Sequence, residues 1–338
     1  MQRLKRVGAM PCCLLLLVAC GGGAAATRPM ASAADERLAQ SESRAPEASA
    51  LVRQGEAKLS QNDAAGAKQL FEQALAQNAG DARAALDLGI ANELLGDLQG
   101  AEGAYRRALE AKPDLSQAQN NLGVLLRERG ELTEATSLLE RAAAAAPDSA
   151  AAQQNLALAY EDQGKLEQAG KHYARALELA PEDAITRSNY GLLLLKQNKV
   201  EAAVTELTRA RQDAKGNRAA LLAIGNGLRR AGAAEESLLA MEQAVAAGGE
   251  PATPALLSEL ALAQRSAGKR DEALATLRKV LATDPKYATA HYLLGNMLAA
   301  DKKFAEAKQH YEQYLKLAPS GEQAEKAREK LAAIGKRK

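Results

Sequence analysis

The sequence predicts an all-α protein in which one helical hairpin is repeated along the chain, and three observations support this. The composition, with 47% hydrophobic but only 3% aromatic residues and no long strand pattern, fits alanine-rich helices. Two columns of the repeat contain only very small side chains. Six prolines form two series with a spacing of 34 residues: Pro113, Pro147 and Pro181, and then Pro251, Pro285 and Pro319.

The small columns appear when each proline is placed at position 32 of a 34-residue repeat. Repeats 1 to 8 then begin at Ala48, Ala82, Ser116, Ala150, Ala184, Arg218, Pro254 and Ala288. Position 8 contains Gly55, Gly89, Gly123, Ala157, Gly191, Gly225, Ala261 and Gly295. Position 20 contains Ala67, Ala101, Ala135, Ala169, Ala203, Ser237, Ala273 and Ala307. Because glycine inside a helix costs roughly 0.5–1 kcal/mol relative to alanine, we predict that the two helices of each hairpin touch here.

Larger apolar residues complete the pattern and fill the space that the small ones leave. Position 24 contains Phe71, Tyr105, Leu139, Tyr173, Leu207, Met241, Leu277 and Tyr311. Short turns such as Arg129-Gly130-Glu131 separate the two halves of a repeat, and the proline ends the second helix.

A 34-residue helix-turn-helix with this alternation of small and large residues resembles the tetratricopeptide repeat, over residues 48–321 as eight repeats. The resemblance implies a right-handed superhelix (α-solenoid) whose inner groove is lined mainly by the first helix of each repeat. We expect residues 322–338 to form a capping helix, with its apolar stripe at Ala324, Ala327, Leu331 and Ile334, and a basic tail. The tryptophan usual at position 4 is absent, and the column contains Leu51, Ala85, Gln119, Gln153, Arg187, Leu221, Leu257 and His291.

The first nineteen residues have the pattern of a secretory signal. Arg3, Lys5 and Arg6 precede an apolar run over 12–19 that is too short to span a membrane. The ending Leu17-Val18-Ala19-Cys20 resembles the lipobox of bacterial lipoproteins, which implies a signal peptide over 1–19 and acylation of Cys20, for example with palmitate. The alternative is an ordinary signal in which Cys20 has no role.

Three further features bear on the anchor. All three cysteines lie at or before residue 20, so no disulfide is expected in the repeats. Gly21, rather than an aspartate, follows Cys20, which in lipoproteins implies the outer membrane, with the protein facing the periplasm. Residues 20–47 contain Gly21-Gly22-Gly23, Pro29 and Pro46 and predict a flexible tether with an r.m.s. span of roughly 28 Å. A short helix at 35–40 is the alternative there.

A peptide-binding groove is predicted across repeats 2 to 5. Asn121, Asn155 and Asn189 occupy position 6, where asparagines of related solenoids bond the backbone of an extended peptide. Beside them, position 9 contains Ile90, Val124, Leu158 and Leu192. The alternative is that these asparagines make local helix contacts. Further along, position 12 contains Arg229 and Arg265, which favour acidic or polar segments.

One repeat junction departs from the pattern. Lys215 stands where repeat 5 would have its proline, and two extra residues near Gly248-Gly249 precede Pro251. A glycine pair weakens a stacking interface, so a hinge between repeats 6 and 7 is one interpretation. A longer turn is the other.

Charge and residue types favour a protein partner. Without Arg3, Lys5 and Arg6, 41 basic residues stand against 42 acidic ones, so no nucleic-acid partner is expected. His172, His291 and His310 have no spacing typical of a metal site, and no nucleophilic cysteine remains in the repeats. We therefore expect no enzyme activity, no cofactor, no metal and no small-molecule substrate.

Together the patterns predict a non-catalytic protein–protein interaction adaptor that is lipid-anchored at the periplasmic face of the outer membrane. The combination resembles pilotin-type lipoproteins, which escort secretin subunits of pili or secretion systems, and families that recruit proteases to cell-wall hydrolases or stimulate wall synthases. The alternative is a self-assembling structural scaffold or spacer, in which the groove binds another copy of the chain.

Overall fold

The computed structural model describes residues 50–214, 216–247 and 251–336, and this part of the chain contains seventeen α-helices and no strand. The predicted all-α class is therefore confirmed. The helices of repeats 1 to 4 are α1 (Ala50–Ser60), α2 (Ala64–Gln77), α3 (Ala82–Leu94), α4 (Leu98–Ala111), α5 (Ser116–Glu128), α6 (Leu132–Ala145), α7 (Ala150–Asp162) and α8 (Leu166–Leu179). The remaining helices are α9 (Ala184–Lys196), α10 (Val200–Asp213), α11 (Arg218–Arg230), α12 (Ala234–Ala246), α13 (Pro254–Ser266), α14 (Arg270–Thr283), α15 (Ala288–Ala300), α16 (Phe304–Leu317) and α17 (Ala324–Gly335).

Repeat 2 shows how the sequence sets the helix ends. The side chain of Asp81 accepts hydrogen bonds from the first turn of α3, and that of Asp97 does the same for α4. Between the two helices, Gly96 has φ +77°, a backbone conformation that glycine adopts without strain. Lys112 is extended where α4 ends, because the residue before a proline, here Pro113, avoids the helical region.

The two helices of a hairpin touch at the predicted columns. A Cβ atom added to Gly89 would lie 2.3 Å from Cε1 of Tyr105, and one added to Gly123 would lie 2.7 Å from Cγ of Leu139. Gly55 meets Phe71, Gly225 meets Met241 and Gly295 meets Tyr311 in the same way. All eight residues of position 20 are fully buried. The predicted contact between small and large columns is confirmed in these five repeats.

Polar side chains at position 4 take the place of the missing tryptophan. Nε2 of Gln119 donates to the carbonyl oxygen of Pro113 over 2.7 Å, and Gln153 donates in the same way to Pro147 over 3.4 Å. Nε2 of His291 lies 3.1 Å from the carbonyl oxygen of Pro285, and Arg187 donates to that of Pro181. Each of these side chains ties the first helix of its repeat to the end of the preceding repeat.

The helices form two compact units, an N-terminal unit that ends at residue 197 and a C-terminal unit that begins at residue 198. The division falls between α9 and α10, inside the predicted repeat 5. In the N-terminal unit Phe71, Tyr105, Leu139 and Tyr173 are fully buried.

The C-terminal unit has a core of the same kind, with Met241, Leu277 and Tyr311 buried, and it ends with α17. Ala324 and Ala327 of α17 are buried, and Leu331 and Ile334 are partly buried against this core. Several predictions concern residues that lie outside the described ones: the signal and Cys20, the tether, Lys215, the Gly248-Gly249 junction, and the last two residues of the tail.

Candidate functional site

The first helices of the N-terminal unit, α1, α3, α5, α7 and α9, carry the residues predicted to form the groove, and we call their shared surface the first-helix face. Polar contacts join neighbouring first helices. A guanidinium nitrogen of Arg83 on α3 lies 3.1 Å from Glu56 on α1. Nζ of Lys196 on α9 lies 2.7 Å from Glu161 on α7. These contacts hold consecutive repeats in register along this face.

An apolar row runs along the first-helix face at position 9. Its members, Ile90, Val124, Leu158 and Leu192, are all partly buried. Ile90, Val124 and Leu158 pack against the core on their inner side. The remaining apolar surface of each side chain is open to solvent, which makes the row suitable for desolvating a bound segment.

The predicted asparagines are in three different environments. Asn121 is 3% exposed, and its buried Nδ2 has no hydrogen-bond partner. Asn155 is partly buried and donates to Oδ1 of Asn120 over 2.9 Å. Asn189 is partly buried on α9. The amides of repeats 3 and 4 therefore contact one another across the repeat boundary, and their role toward a ligand stays a prediction.

Position 6 of repeat 2 contains Asp87, which sequence reasoning missed although it occupies the same column as the asparagines. Oδ2 of Asp87 accepts from Nε of Arg83 over 2.9 Å, and the residue is 3% exposed. Burial raises the pKa of Asp87 to about 7, with Glu56 adding to the rise and Arg83 opposing it.

Charged residues at positions 12 and 13 form a second row that sequence reasoning did not single out in this unit. Tyr173 donates its hydroxyl to Glu161 over 2.8 Å. Nε of Arg127 lies 3.7 Å from Asp162, and burial raises the pKa of the Asp162 carboxyl. The column that contains Arg229 and Arg265 elsewhere in the chain is the signal that could have found these residues.

The two arginines at position 12 of the C-terminal unit, Arg229 and Arg265, differ in their surroundings. A guanidinium nitrogen of Arg229 donates to Oδ1 of Asn226 over 3.3 Å and lies 3.7 Å from Glu259. Burial raises the pKa of the Glu259 carboxyl, so the pair is partly shielded from water. Arg265 is exposed. Their predicted preference for acidic segments is not tested by these contacts.

The described residues contain no group of three or more His, Cys, Asp or Glu side chains placed to hold a metal ion. None of the seventeen described helices combines the length and apolar character that a membrane span requires.

Stacked helical hairpins with an open face of first helices define a helical-repeat protein with a protein–protein interaction fold. Two tetratricopeptide repeat models match the sequence, one at residues 52–116 and 258–322 and the other at 114–182. Together they cover more than half of the chain. The chain therefore belongs to the tetratricopeptide repeat family.

Several solved structures share this fold. The crystal structure of PilW, described as a widely conserved type IV pilus biogenesis factor, matches with a TM-score of 0.52 and 19% identity over 58% of this chain and 91% of its own. PilF of Pseudomonas aeruginosa matches with a TM-score of 0.51 and 21% identity over 58% of this chain and 90% of its own.

The APC/C hetero-tetramer Cut9–Hcn1 gives a TM-score of 0.53 and 14% identity over 89% of this chain and 59% of the matched chain. At these identities the similarity supports the fold alone. The comparison with curated proteins gives no match.

Proposed function

We propose that this protein is a non-catalytic adaptor that binds an extended segment of an envelope protein on its first-helix face. The observation that carries the proposal is the apolar row of Ile90, Val124, Leu158 and Leu192, which is partly exposed to solvent and lies within one compact unit. Amides and paired charges flank it, so a bound segment meets both apolar and hydrogen-bonding groups.

The spacing of the row indicates what such a segment looks like. Packed helices lie about 8–10 Å apart, and an extended chain advances about 3.3 Å per residue. Successive apolar side chains of the row are therefore matched by apolar residues about three positions apart in the partner. Main-chain groups between them face the asparagine column, whose amides both donate and accept.

We propose further that Cys20 is acylated and holds the protein at the periplasmic face of the outer membrane. This part rests on the sequence: the basic start, the short apolar run, and Leu17-Val18-Ala19-Cys20 followed by Gly21. A doubly acylated residue binds a bilayer stably, whereas a single chain does not.

The partner in this proposal belongs to an envelope machine, either the secretin of a pilus or secretion system or an enzyme of the cell wall. PilW is described as a pilus biogenesis factor, and it shares the repeat fold with this chain. Identifying the bound partner distinguishes between these two kinds of machine.

The test is affinity purification of the lipidated protein from membranes with crosslinking, followed by affinity measurements on the captured partner. A variant with Val124→Ser and Leu158→Ser is expected to lose at least about tenfold in affinity, because each apolar side chain contributes to desolvation. The matched control is Leu239→Ser on α12, which is 43% exposed in the C-terminal unit. Equal affinity in the two variants excludes the first-helix face as the site.

The asparagine column is tested separately by changing Asn121, Asn155 and Asn189 together to alanine. A lower affinity for the partner supports hydrogen bonding of these amides to the partner's backbone. An unchanged affinity means that these residues only make contacts between helices. Light scattering decides against the scaffold alternative if the purified protein stays a monomer as its concentration rises. Membrane fractionation of Cys20→Ala against the wild type tests the anchor, and an equally soluble wild type excludes it.

A further inference from the structure

Three exposed leucines surround the turn between α3 and α4, and we call residues 94–98 the leucine turn. Leu94 ends α3 and is 56% exposed, Leu95 caps that helix and is 46% exposed, and Leu98 begins α4 and is 47% exposed. Among the described residues only Ile185 and Leu239 are comparably exposed large apolar residues. The leucine turn is therefore the one place in the described chain where such residues cluster.

The neighbouring repeats show that the fold does not require Leu94 and Leu95, whereas Leu98 corresponds to Leu132 in repeat 3 and Leu166 in repeat 4. Their turns have the same length and also contain a glycine with positive φ, Gly130 in repeat 3 and Gly164 in repeat 4. The residues equivalent to Leu94 and Leu95 there are polar: Glu128 and Arg129 in repeat 3, and Asp162 and Gln163 in repeat 4. Because polar side chains occupy these two positions elsewhere, the hairpin itself gives no reason for Leu94 and Leu95 to be apolar.

The charged groups around the leucine turn are paired. Asp97 lies 3.3 Å from Nζ of Lys68, and Glu93 accepts a hydrogen bond from the hydroxyl of Tyr105 over 2.7 Å. Glu102 pairs with Arg106 over 2.9 Å and also with Arg129. A turn whose carboxylates already have ion-pair or hydrogen-bond partners loses less free energy on entering a less polar environment than one with free carboxylates.

The size of the patch argues against a stable dimer. Three half-exposed leucines offer at most a few hundred Å², whereas a stable protein–protein interface buries about 800 Å² on each partner. A lipid surface accepts a small protruding apolar turn because it needs no complementary shape.

The position of the turn in the chain places it near such a surface. Only 29 residues separate Cys20 from Ala50, where the described part begins, and the flexible tether that their sequence predicts would span about 30 Å. The leucine turn belongs to the second hairpin after this tether, so an anchor at Cys20 keeps it at a high effective concentration near the bilayer.

We propose that the leucine turn inserts into the interface of the bilayer that carries the Cys20 anchor, as a second membrane contact that fixes the orientation of the N-terminal unit. This inference rests on the anchor in the proposed function. Insertion of an apolar face reaches about 5–10 Å, to the boundary between headgroups and acyl chains. The first-helix face then has a defined direction relative to the membrane.

The chain contains no tryptophan, so a single introduced one reports on its own position. Leu94→Trp is the probe, and Glu128→Trp, at the same position of repeat 3, is the matched control. The mature protein from Cys20 to Lys338 is coupled through Cys20, its sole cysteine, to a maleimide lipid in vesicles of phosphatidylethanolamine and phosphatidylglycerol. Because the anchor is supplied chemically, the measurement does not depend on acylation in the cell.

Insertion predicts a blue shift of the Leu94→Trp emission on vesicles and quenching by brominated acyl chains of about twofold, with neither effect for Glu128→Trp. Adding Leu95→Ser and Leu98→Ser to the probe variant is expected to abolish both signals. Circular dichroism checks that every variant is folded.

Two outcomes overturn the inference. In one, the two tryptophans respond equally to vesicles. In the other, the Leu94→Trp shift appears without vesicles and grows with protein concentration, which identifies a second copy as the occupant. Failure of the anchor is recognised separately, by the Cys20→Ala fractionation.

Discussion

The Nδ1 atoms of His291 and His310 lie 3.0 Å apart, and the two rings are 5.2 Å apart between centroids. One side chain comes from position 4 and the other from position 23 of repeat 8. In repeat 4 the same two positions hold Gln153 and His172, with Oε1 2.7 Å from Nδ1. The histidine pair is therefore a variant of a contact that recurs inside the hairpins.

Acid is expected to destabilise repeat 8. Burial lowers the pKa of His310, and the neighbouring His291 and Arg278 lower it further, while Glu306 opposes the shift. Since the unfolded chain takes up the proton more readily, the stabilisation is fully present above about pH 6.5 and is lost as the pH falls below it. Hydrogen exchange of the α15–α17 amides at pH 7.5 and 5.5 measures the loss.

The control for the histidine pair is His291→Gln, which reproduces the pairing of repeat 4. The glutamine oxygen accepts a hydrogen bond from a protonated His310, so the acid-induced loss in α15–α17 is expected to shrink. Amides of α7 and α8 should respond to pH equally in both proteins. An unchanged loss in the variant would show that the pair does not cause it.

Asp87→Asn is expected to stabilise the N-terminal unit increasingly as the pH rises from about 4 to 7. Because burial raises the pKa of Asp87 to about 7, the folded state binds more protons than the unfolded state between about pH 4 and 7. Stability from this group is complete below pH 4 and is lost as the pH rises through 7. The asparagine, which repeats 3 to 5 already have at this position, carries no charge at any pH.

Thermal unfolding at pH 4.5 and 8 checks the Asp87→Asn prediction. The variant is expected to gain about 1–3 kcal/mol over the wild type at pH 8 and almost nothing at pH 4.5. Asp114→Asn, at an exposed carboxylate of the same unit, controls for the loss of one negative charge. A gain of the same size at both pH values would contradict the prediction.

The sequence alone was sufficient to predict the contacts that recur from repeat to repeat. The contact between position 8 and position 24 could be predicted because Gly89 and Tyr105 have equivalents in every other repeat. A column of small residues and a column of larger ones together indicate close packing of the two helices. Contacts that occur in only one repeat could not be predicted in this way. The bond from Asn155 to Asn120 depends on side-chain rotamers across a repeat boundary, and no column records it.

The sequence pattern also did not predict where the two compact units divide or which apolar side chains are exposed. The repeat spacing drew attention to Gly248-Gly249, yet the division into compact units falls at residue 197, where the repeat pattern continues without a break. The sequence could not predict that Leu94 is exposed, because apolar residues near helix ends are often buried against a neighbouring repeat.

Gly89→Ala and Gly225→Ala are expected to differ in cost although they occupy the same column. The new Cβ lies 2.3 Å from the rigid ring of Tyr105 in one case and 2.7 Å from the flexible end of Met241 in the other. Alanine gains about 1 kcal/mol in helix propensity, and overpacking costs about 1–3 kcal/mol. Gly89→Ala is therefore destabilising, and Gly225→Ala is close to neutral.

Denaturant unfolding of the two glycine variants provides the measurement. Adding Tyr105→Leu to Gly89→Ala should recover part of the loss, because repeat 7 already combines Ala261 with Leu277 at these positions. The Tyr105→Leu single variant gives the baseline. Equal losses for Gly89→Ala and Gly225→Ala would mean that side-chain rigidity does not decide the cost.

Gln119→Leu and Gln153→Leu are expected to have opposite effects, although both change a glutamine at position 4. Gln119 is 2% exposed, and its Oε1 has no partner, so leucine removes an unsatisfied buried atom. The carbonyl of Pro113 keeps a donor, since Arg141 also donates to it over 2.6 Å. Gln119→Leu is therefore neutral or up to about 1 kcal/mol stabilising.

Gln153→Leu removes a partner that another residue needs. Oε1 of Gln153 lies 2.7 Å from Nδ1 of His172, a half-buried ring whose pKa burial lowers. Without the glutamine this ring nitrogen loses its partner, which costs about 1–3 kcal/mol. Denaturant unfolding of both variants at pH 7.5 gives the two free energies. Equal signs for the two changes would show that the column, rather than the individual hydrogen bonds, sets the stability of these repeats.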